Sequence, residues 1–406
     1  MNKSFLKKCA ERYGSPLYVY DLNKLDKTFN DLKKSLPKKS KILYSIKANP
    51  NSEIIKKFKE LNCEFEVSSI GEAKKVLACG VIAKKIFLTG PAKDFNDLKF
   101  AIKKQFGTIS IESFTEISLL KKIINKKKVN TNLILRVNLE KQNLHSSIQM
   151  MSTPSQFGID ASQLLKNIKF FKNLKNINLK GFHFYSASNV EDEKEIIKMF
   201  ESCISYSKKL SQALDIDIKV LDLGGGFACN HGKLRNNISY FKVKSALEKK
   251  MEQHFLPSQI KNIDLFFESG RFLVGTCGGL ITKVVDKKIS KSEKFVILNS
   301  GINHLSGMTG IGRLQRLRPD YQILNLKKRK QKEKVNIVGP LCTPLDFWNK
   351  SFYSIKFEIG DYIYVPNVSS YGLTASLVMF LSHEMPKELI IDKSKILKIM
   401  NTKIIN

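Results

Sequence analysis

Eight short and nearly uninterrupted apolar runs divide the first two-thirds of this chain. They are KILYSIKA (41–48), CEFEVSS (63–69), KIFLTG (85–90), TISIES (108–113), NLILRVN (132–138), INLKGFHFYSA (177–187), IKVLDLGGG (218–226) and DLFFESG (264–270). Runs of this length, rich in Ile, Leu, Val and Phe and without strict alternation, read as strands buried on both faces. Segments with helical spacing lie between them. Ser52–Asn62 carries Ile54, Ile55, Phe58 and Leu61 on one face, and 114–127 and 191–214 behave alike. Several of these begin after Asn, Ser or Asp, residues whose side chains cap exposed helix N–H groups. Eight such strands, most of them followed by a helix, predict a (β/α)8 barrel of the TIM type over residues 25–270.

The polar residues strengthen that expectation. Lys47, Ser68, Glu112, Arg136, His183, the glycines 224–226 and Glu268 all fall at or just past the C-terminal end of a run, the rim that builds the active site in this architecture. After residue 271 the pattern changes. LITKVVD, KFVILN, KVNIVG, DYIYVP and ELIID follow without long helices. They predict a separate β domain over 271–406, to which 1–24 adds a strand through PLYVYD (16–21).

Composition removes other classes. The N-terminus has no apolar signal core, and no apolar run approaches the length of a bilayer. A soluble, cytoplasmic protein is the expectation, with no membrane partner. The seven cysteines are scattered singly with no CxxC pair, which argues against a disulfide framework and against a zinc site, so no metal is expected. The net charge is +32, but lysines spread along the whole chain and no nucleic-acid module carries them. No specific nucleic acid is expected, although the surface field should attract acidic partners.

Four motifs carry chemistry. YSIKANPN (44–51) fixes Lys47 at a strand end before a turn, where an amine can bond a carbonyl cofactor. Taken alone it is also compatible with one more surface lysine. LDLGGGF (221–227) runs a strand into three glycines whose N–H groups can approach a phosphate, or which form only a flexible turn. FFESGRFLVG (266–275) sets Glu268 and Arg271 around Gly270: an acid that can keep a pyridine nitrogen protonated and a guanidinium that can clamp phosphate, or a surface ion pair. GPLCTPLDFW (339–348) offers Cys342 beside Asp346, a positioned proton donor or acceptor or a structural cysteine.

In this order, from about residue 14 to 390, the motifs resemble the fold-type III pyridoxal-phosphate decarboxylases, which include diaminopimelate and ornithine decarboxylases. The resemblance implies pyridoxal 5'-phosphate as cofactor and Lys47 as its Schiff-base lysine. It implies Gly224, Gly225, Gly226, Gly270, Arg271, Ser188 and Tyr371 around the phosphate. Glu268 would face the pyridine nitrogen and Arg136 would support the cofactor. It also implies a head-to-tail homodimer with shared active sites, in which Cys342 from the second subunit handles the proton at the substrate α-carbon.

Departures narrow the substrate. Where diaminopimelate decarboxylases read GxHxHIGSQ, this chain reads GFHFYSASN. His183 matches the first histidine, and Tyr185 replaces the second, which stacks on the cofactor ring; which of the two covers the ring stays open. Glu66 stands where the family has Asp. The family places an acid after the cysteine, available to a distal substrate ammonium, and here that residue is Thr343. Leaving such a cation buried without a partner costs about 3–5 kcal/mol, which argues against diaminopimelate-like substrates. Thr343, Asp346 and Arg313 are the residues expected to meet the substrate.

GPLCTPLD, INHLSGMTG, NVSSYGLTAS and FLSHEMP resemble a branch that includes carrier-protein-linked and exosortase-associated decarboxylases. The expected activity is therefore removal of the α-carboxylate of an amino acid, either free or held on an acyl carrier protein. The alternatives are diaminopimelate decarboxylase and an amino-acid racemase on the same barrel. Racemases of this fold set an arginine against the pyridine nitrogen, so Glu268 opposes that reading. A non-catalytic relative is opposed by retention of Lys47, Glu268, Arg271, Cys342 and Tyr371 together.

Overall fold

The structure is a computed structural model describing residues 1–124, 131–139, 148–149, 154–174, 177–235, 238–306, 318–325 and 329–401. Two compact units divide it. One holds 27–228 and 238–273, the other 1–26, 229–237 and 274–406. The short excursion 229–237 joins the second unit through backbone bonds such as Gly232 N–H to the Asn367 carbonyl.

In the first unit the eight apolar runs are eight parallel strands: β2 (Lys41–Ser45), β3 (Glu64–Val67), β4 (Ile86–Leu88), β5 (Thr108–Ile111), β6 (Asn132–Asn138), β7 (Leu179–His183), β8 (Val220–Asp222) and β9 (Asp264–Ser269). Each pairs with the next, and β9 pairs with β2 (Ser269 beside Tyr44), so the sheet closes into a barrel. Helices alternate with the strands. Ser52–Glu60 begins on Asn51, whose side chain accepts from Glu53 N–H, and Glu193–Leu214 begins on Asp192 in the same way.

Leu43, Phe87, Ile134 and Val220 meet in one buried cluster with Phe266. The first four come from β2, β4, β6 and β8, so they form one layer contributed by alternate strands. Two residues further along each strand the same inward face returns, and its chemistry changes: Ser45, Thr89, Arg136 and Asp222. The other four strands place Glu66, Ser110, His183 and Glu268 on their inward faces. All eight polar residues are buried. The barrel is thus oil at its centre and polar toward the C-terminal ends of its strands.

In the second unit β1 (Leu17–Asp21) lies between β10 (Gly278–Ser290), antiparallel, and β15 (Lys387–Asp392), parallel. The sheet continues through β11 (Glu293–Leu298), β12 (Lys332–Val338) and β13 (Phe347–Ile355) on one side and β16 (Lys395–Met400) on the other, with β14 (Tyr362–Pro366) on β10. Leu6, Cys9, Leu17, Val19, Ile281 and Leu389 form its core. Among the described residues no helix is long and apolar enough to cross a membrane.

The apolar layer predicts a clear cost. Leu43→Ala should destabilise the barrel by about 2–5 kcal/mol, read by urea unfolding followed by far-UV circular dichroism. A change near zero would mean that Leu43 is not part of a packed layer.

Candidate active site at the barrel mouth

Lys47 sits in the turn Ile46–Ala48 that follows β2. Gly270 braces that turn from the end of β9, because a Cβ there would lie 2.7 Å from the Ala48 Cβ. Lys47 Nζ is 3.1 Å from both carboxylate oxygens of Glu66. Glu66 also accepts from Ser68 and Thr89 hydroxyls. Burial alone would push this carboxyl up, but the Lys47 charge and those hydrogen bonds outweigh it and hold the group at about 2. Glu66 is therefore ionised beside Lys47 throughout the physiological range.

A second group lies across the mouth. Ser110 Oγ is 2.8 Å from His183 Nδ1, and His183 Nε2 is 3.1 Å from Glu268 Oε1, in a geometry that does not make a hydrogen bond. Asp222 accepts from Gly224 N–H with one oxygen, and a nitrogen or oxygen of each of His183, Asp222 and Glu268 lies within 4.8 Å of the others. Burial, reinforced by the Glu66 charge against the opposing Lys47 and Arg136, pushes Glu268 up to about 8. Burial likewise pushes Asp222 up to about 7 and His183 down to about 4. A buried site cannot hold three carboxylates ionised beside one another, and Glu66, alone in having an ammonium in direct contact, keeps its charge.

A third group fixes Arg136. Its Nη1 is 2.9 Å from Glu112, which also accepts from Gly90 and Gly158 N–H, and Lys93 Nζ forms an ion pair with Glu116 at 3.0 Å. Tyr185 connects the groups: its ring centroid is 6.0 Å from Lys47 Nζ and 5.9 Å from Arg136 Cζ. The glycine loop packs beside that ring. A Cβ on Gly224 would lie 2.2 Å from the Phe184 carbonyl, and one on Gly225 2.6 Å from the Glu268 carbonyl. Gly224 and Gly226 have φ of +72° and +118°, values that favour glycine.

The structure thus gathers Lys47, Arg136, His183, Tyr185, Gly224, Gly225, Gly226, Glu268 and Gly270 around one mouth. Arg271 opens the short helix Arg271–Val274 after Gly270, and Ser188, half-buried, lies in the short strand Ala187–Ser188. Tyr371, Cys342, Thr343 and Asp346 belong to the other unit. There Cys342 is the exposed cysteine of the seven, and Tyr371 has φ of +57°. Arg313 lies outside the described residues. Sequence reasoning gave no role to Ser110, Thr89 or Asp222, and noted Glu66 only as a departure from the family. For Thr89 and Asp222 the available signal is a polar side chain two residues beyond an inward apolar one, Phe87 and Val220; Ser110 follows Thr108 and Glu66 follows Glu64, so neither carries that signal.

The sign of one pH effect follows. Glu268 titrates near 8 when folded, against an ordinary 4.5, so between these values the folded chain holds a proton that the unfolded chain has lost. Its contribution to stability therefore falls as pH rises through that window. Asp222 acts in the same direction up to about 7, and His183 acts in the opposite direction only between about 4 and 6.5. Thermal unfolding of the cofactor-free protein should show stability declining from pH 6.5 to 8, less steeply in Glu268→Gln. Equal slopes would contradict this.

A family profile described as pyridoxal-dependent decarboxylase, pyridoxal binding domain, matches residues 22–275. The chain is 27% identical over 384 residues to an L-glutamyl-[BtrI acyl-carrier protein] decarboxylase of Niallia circulans, covering 94% of this chain and 90% of the relative. It is 29% identical over 386 residues to a 2-[(L-alanin-3-ylcarbamoyl)methyl]-2-hydroxybutanedioate decarboxylase of Staphylococcus aureus, covering 93% and 94%. A solved diaminopimelate decarboxylase from Helicobacter pylori, complexed with L-lysine, shares the fold, with a TM-score of 0.84 at 23% identity over 97% of this chain and 95% of that one. The profile spans well over half of the chain, which therefore belongs to the pyridoxal-dependent decarboxylases, enzymes that use pyridoxal phosphate to decarboxylate amino acids.

Proposed function

We propose that the substrate is an aminoacyl group held on an acyl carrier protein rather than a free diamino acid. Thr343 carries this reading: it stands where relatives acting on a distal ammonium place a carboxylate, and an uncharged hydroxyl cannot neutralise such a cation. Two further facts agree with it. The relative from Niallia circulans is named for a glutamyl group on an acyl carrier protein, and a net charge of +32 favours acidic partners.

The mouth fits the cofactor. Glu268 Oε1 is buried and accepts no hydrogen bond from the described residues, as an acid awaiting a ring nitrogen should be. The tight glycine loop brings bare backbone to the same rim. When bound, pyridoxal phosphate supplies an aldehyde that amines condense with and a ring that accepts the electron pair left by a departing carboxylate.

Lys47 is the amine that holds it. Glu66 orients Lys47 Nζ and keeps a negative charge beside it. Glu268 would face the ring nitrogen and supply the acid that keeps it protonated, with His183, fixed by Ser110, lying 3.1 Å from that carboxyl. Tyr185 would offer an aromatic face to the cofactor, and Arg136 is held beside Tyr185 by Glu112. Gly224, Gly225, Gly226, Gly270, Arg271, Ser188 and Tyr371 would hold the cofactor's phosphate. Cys342, reaching the site of the partner subunit in a head-to-tail homodimer, donates the proton to the α-carbon, while Thr343, Arg313 and the loop pinned by Asp346 meet the substrate. Residues 25–270 form the cofactor domain, with 271–406 and 1–24 as the β domain, and the enzyme works in the cytoplasm.

Purified protein with added pyridoxal phosphate should show a visible absorbance band that Lys47→Ala abolishes. It should release carbon dioxide from L-glutamyl acyl carrier protein and little from free diaminopimelate. Fast turnover of free diaminopimelate would overturn the substrate reading, and an unchanged band in Lys47→Ala would overturn the role of Lys47.

A further inference from the structure

The loop that bears Cys342 is the connection Gly339–Asp346 between the antiparallel strands β12 and β13. A hairpin connection of this length exceeds the usual two to five residues, and the exposure of Cys342, Pro344 and Leu345 leaves much of it without packing. It is nevertheless pinned at one point. The Asp346 carboxylate is buried and turned inward. Its Oδ1 accepts from Ile302 N–H at 2.8 Å and its Oδ2 from Leu341 N–H at 2.9 Å. The Asp346 carbonyl accepts from Gly339 N–H at 3.0 Å, and its own N–H donates to the Thr343 carbonyl at 3.2 Å.

Two glycines are shaped around this carboxylate. A Cβ on Gly301 would lie 2.2 Å from Oδ1, and one on Gly339 2.3 Å from Oδ2. One acid therefore ties the residue before Cys342 to the segment following β11, and no larger residue fits at either flank. With one oxygen taken by the loop's own Leu341 N–H and the other by Ile302 N–H, the carboxylate joins the loop to the segment following β11.

We infer that Asp346 is a positioning residue: it clamps the 339–346 loop so that the Cys342 thiol is presented outward in one place. That the thiol so presented is a proton donor rests on the function proposed above; the clamp itself does not.

A nitroxide label on Cys342, the exposed cysteine, reads the clamp without any turnover. Its electron paramagnetic resonance spectrum in the native protein, compared with that of the variants under the same conditions, should show restricted motion. Asp346→Asn turns one acceptor into a donor facing a backbone N–H, and Gly301→Ala displaces the carboxylate without changing charge. Both should mobilise the label while melting temperature and the cofactor absorbance band stay close to native. A freely moving label in the native protein, or one unmoved in folded variants, overturns the inference. In unlabelled enzyme, both variants should lower kcat for carbon dioxide release from L-glutamyl acyl carrier protein about tenfold, the scale of one lost charged hydrogen bond, with KM unchanged. Native kcat in variants whose label is mobile would also overturn it, provided Cys342→Ser is impaired. If Cys342→Ser keeps native kcat, the proton-donor reading fails and the label alone decides the clamp.

Discussion

Three carboxyl groups, Glu66, Asp222 and Glu268, are buried together at the top of one barrel, and the rest of the site is arranged around that fact. An ionised carboxylate in such surroundings is costly unless a cation or several donors meet it. Glu66 has Lys47 and two hydroxyls and stays charged. Glu268 and Asp222 have neutral or distant neighbours and are driven toward the protonated form. A single environment thus yields one fixed negative charge beside an amine and, across the mouth, acids able to exchange a proton near neutral pH. Separating the roles of similar groups by their surroundings is how one site performs both tasks.

The barrel supplies this arrangement through its layering. Leu43, Phe87, Ile134 and Val220 close the interior against water. Because inward positions recur every second residue, the next inward step on the same strands reaches Ser45, Thr89, Arg136 and Asp222. Parallel strands then present all of these at one rim. Adjacent pairing of β9 with β2 brings Glu268 and the Lys47 turn to neighbouring positions although 221 residues separate them in sequence. Gly270 tightens the same junction, since its missing side chain admits Ala48.

Much of this was legible in the sequence because strands buried on both faces leave continuous apolar runs, and all eight stand where such runs fall. The polar tips of those runs marked Lys47, Arg136, His183 and Glu268. Less visible were contacts that depend on barrel stagger. Nothing local in TISIES announces that Ser110 meets His183, 73 residues away. The strand Phe347–Ile355 was not legible either: it is exposed at Lys350, Ser351 and Tyr353 and its pairing is irregular, so its apolar pattern is broken. The orientation of the Asp346 carboxylate toward two backbone N–H groups is a property of loop geometry that spacing does not record.

The central claim is that Lys47 and Glu268 hold opposite ends of one pyridoxal ring. A crystal structure of the enzyme grown with pyridoxal phosphate tests it most directly. Continuous density should join Lys47 Nζ to the aldehyde carbon, with a Glu268 oxygen about 3 Å from the ring nitrogen, a hydrogen-bonding distance. Density joined to another lysine, or a ring nitrogen turned away from Glu268, would contradict the account.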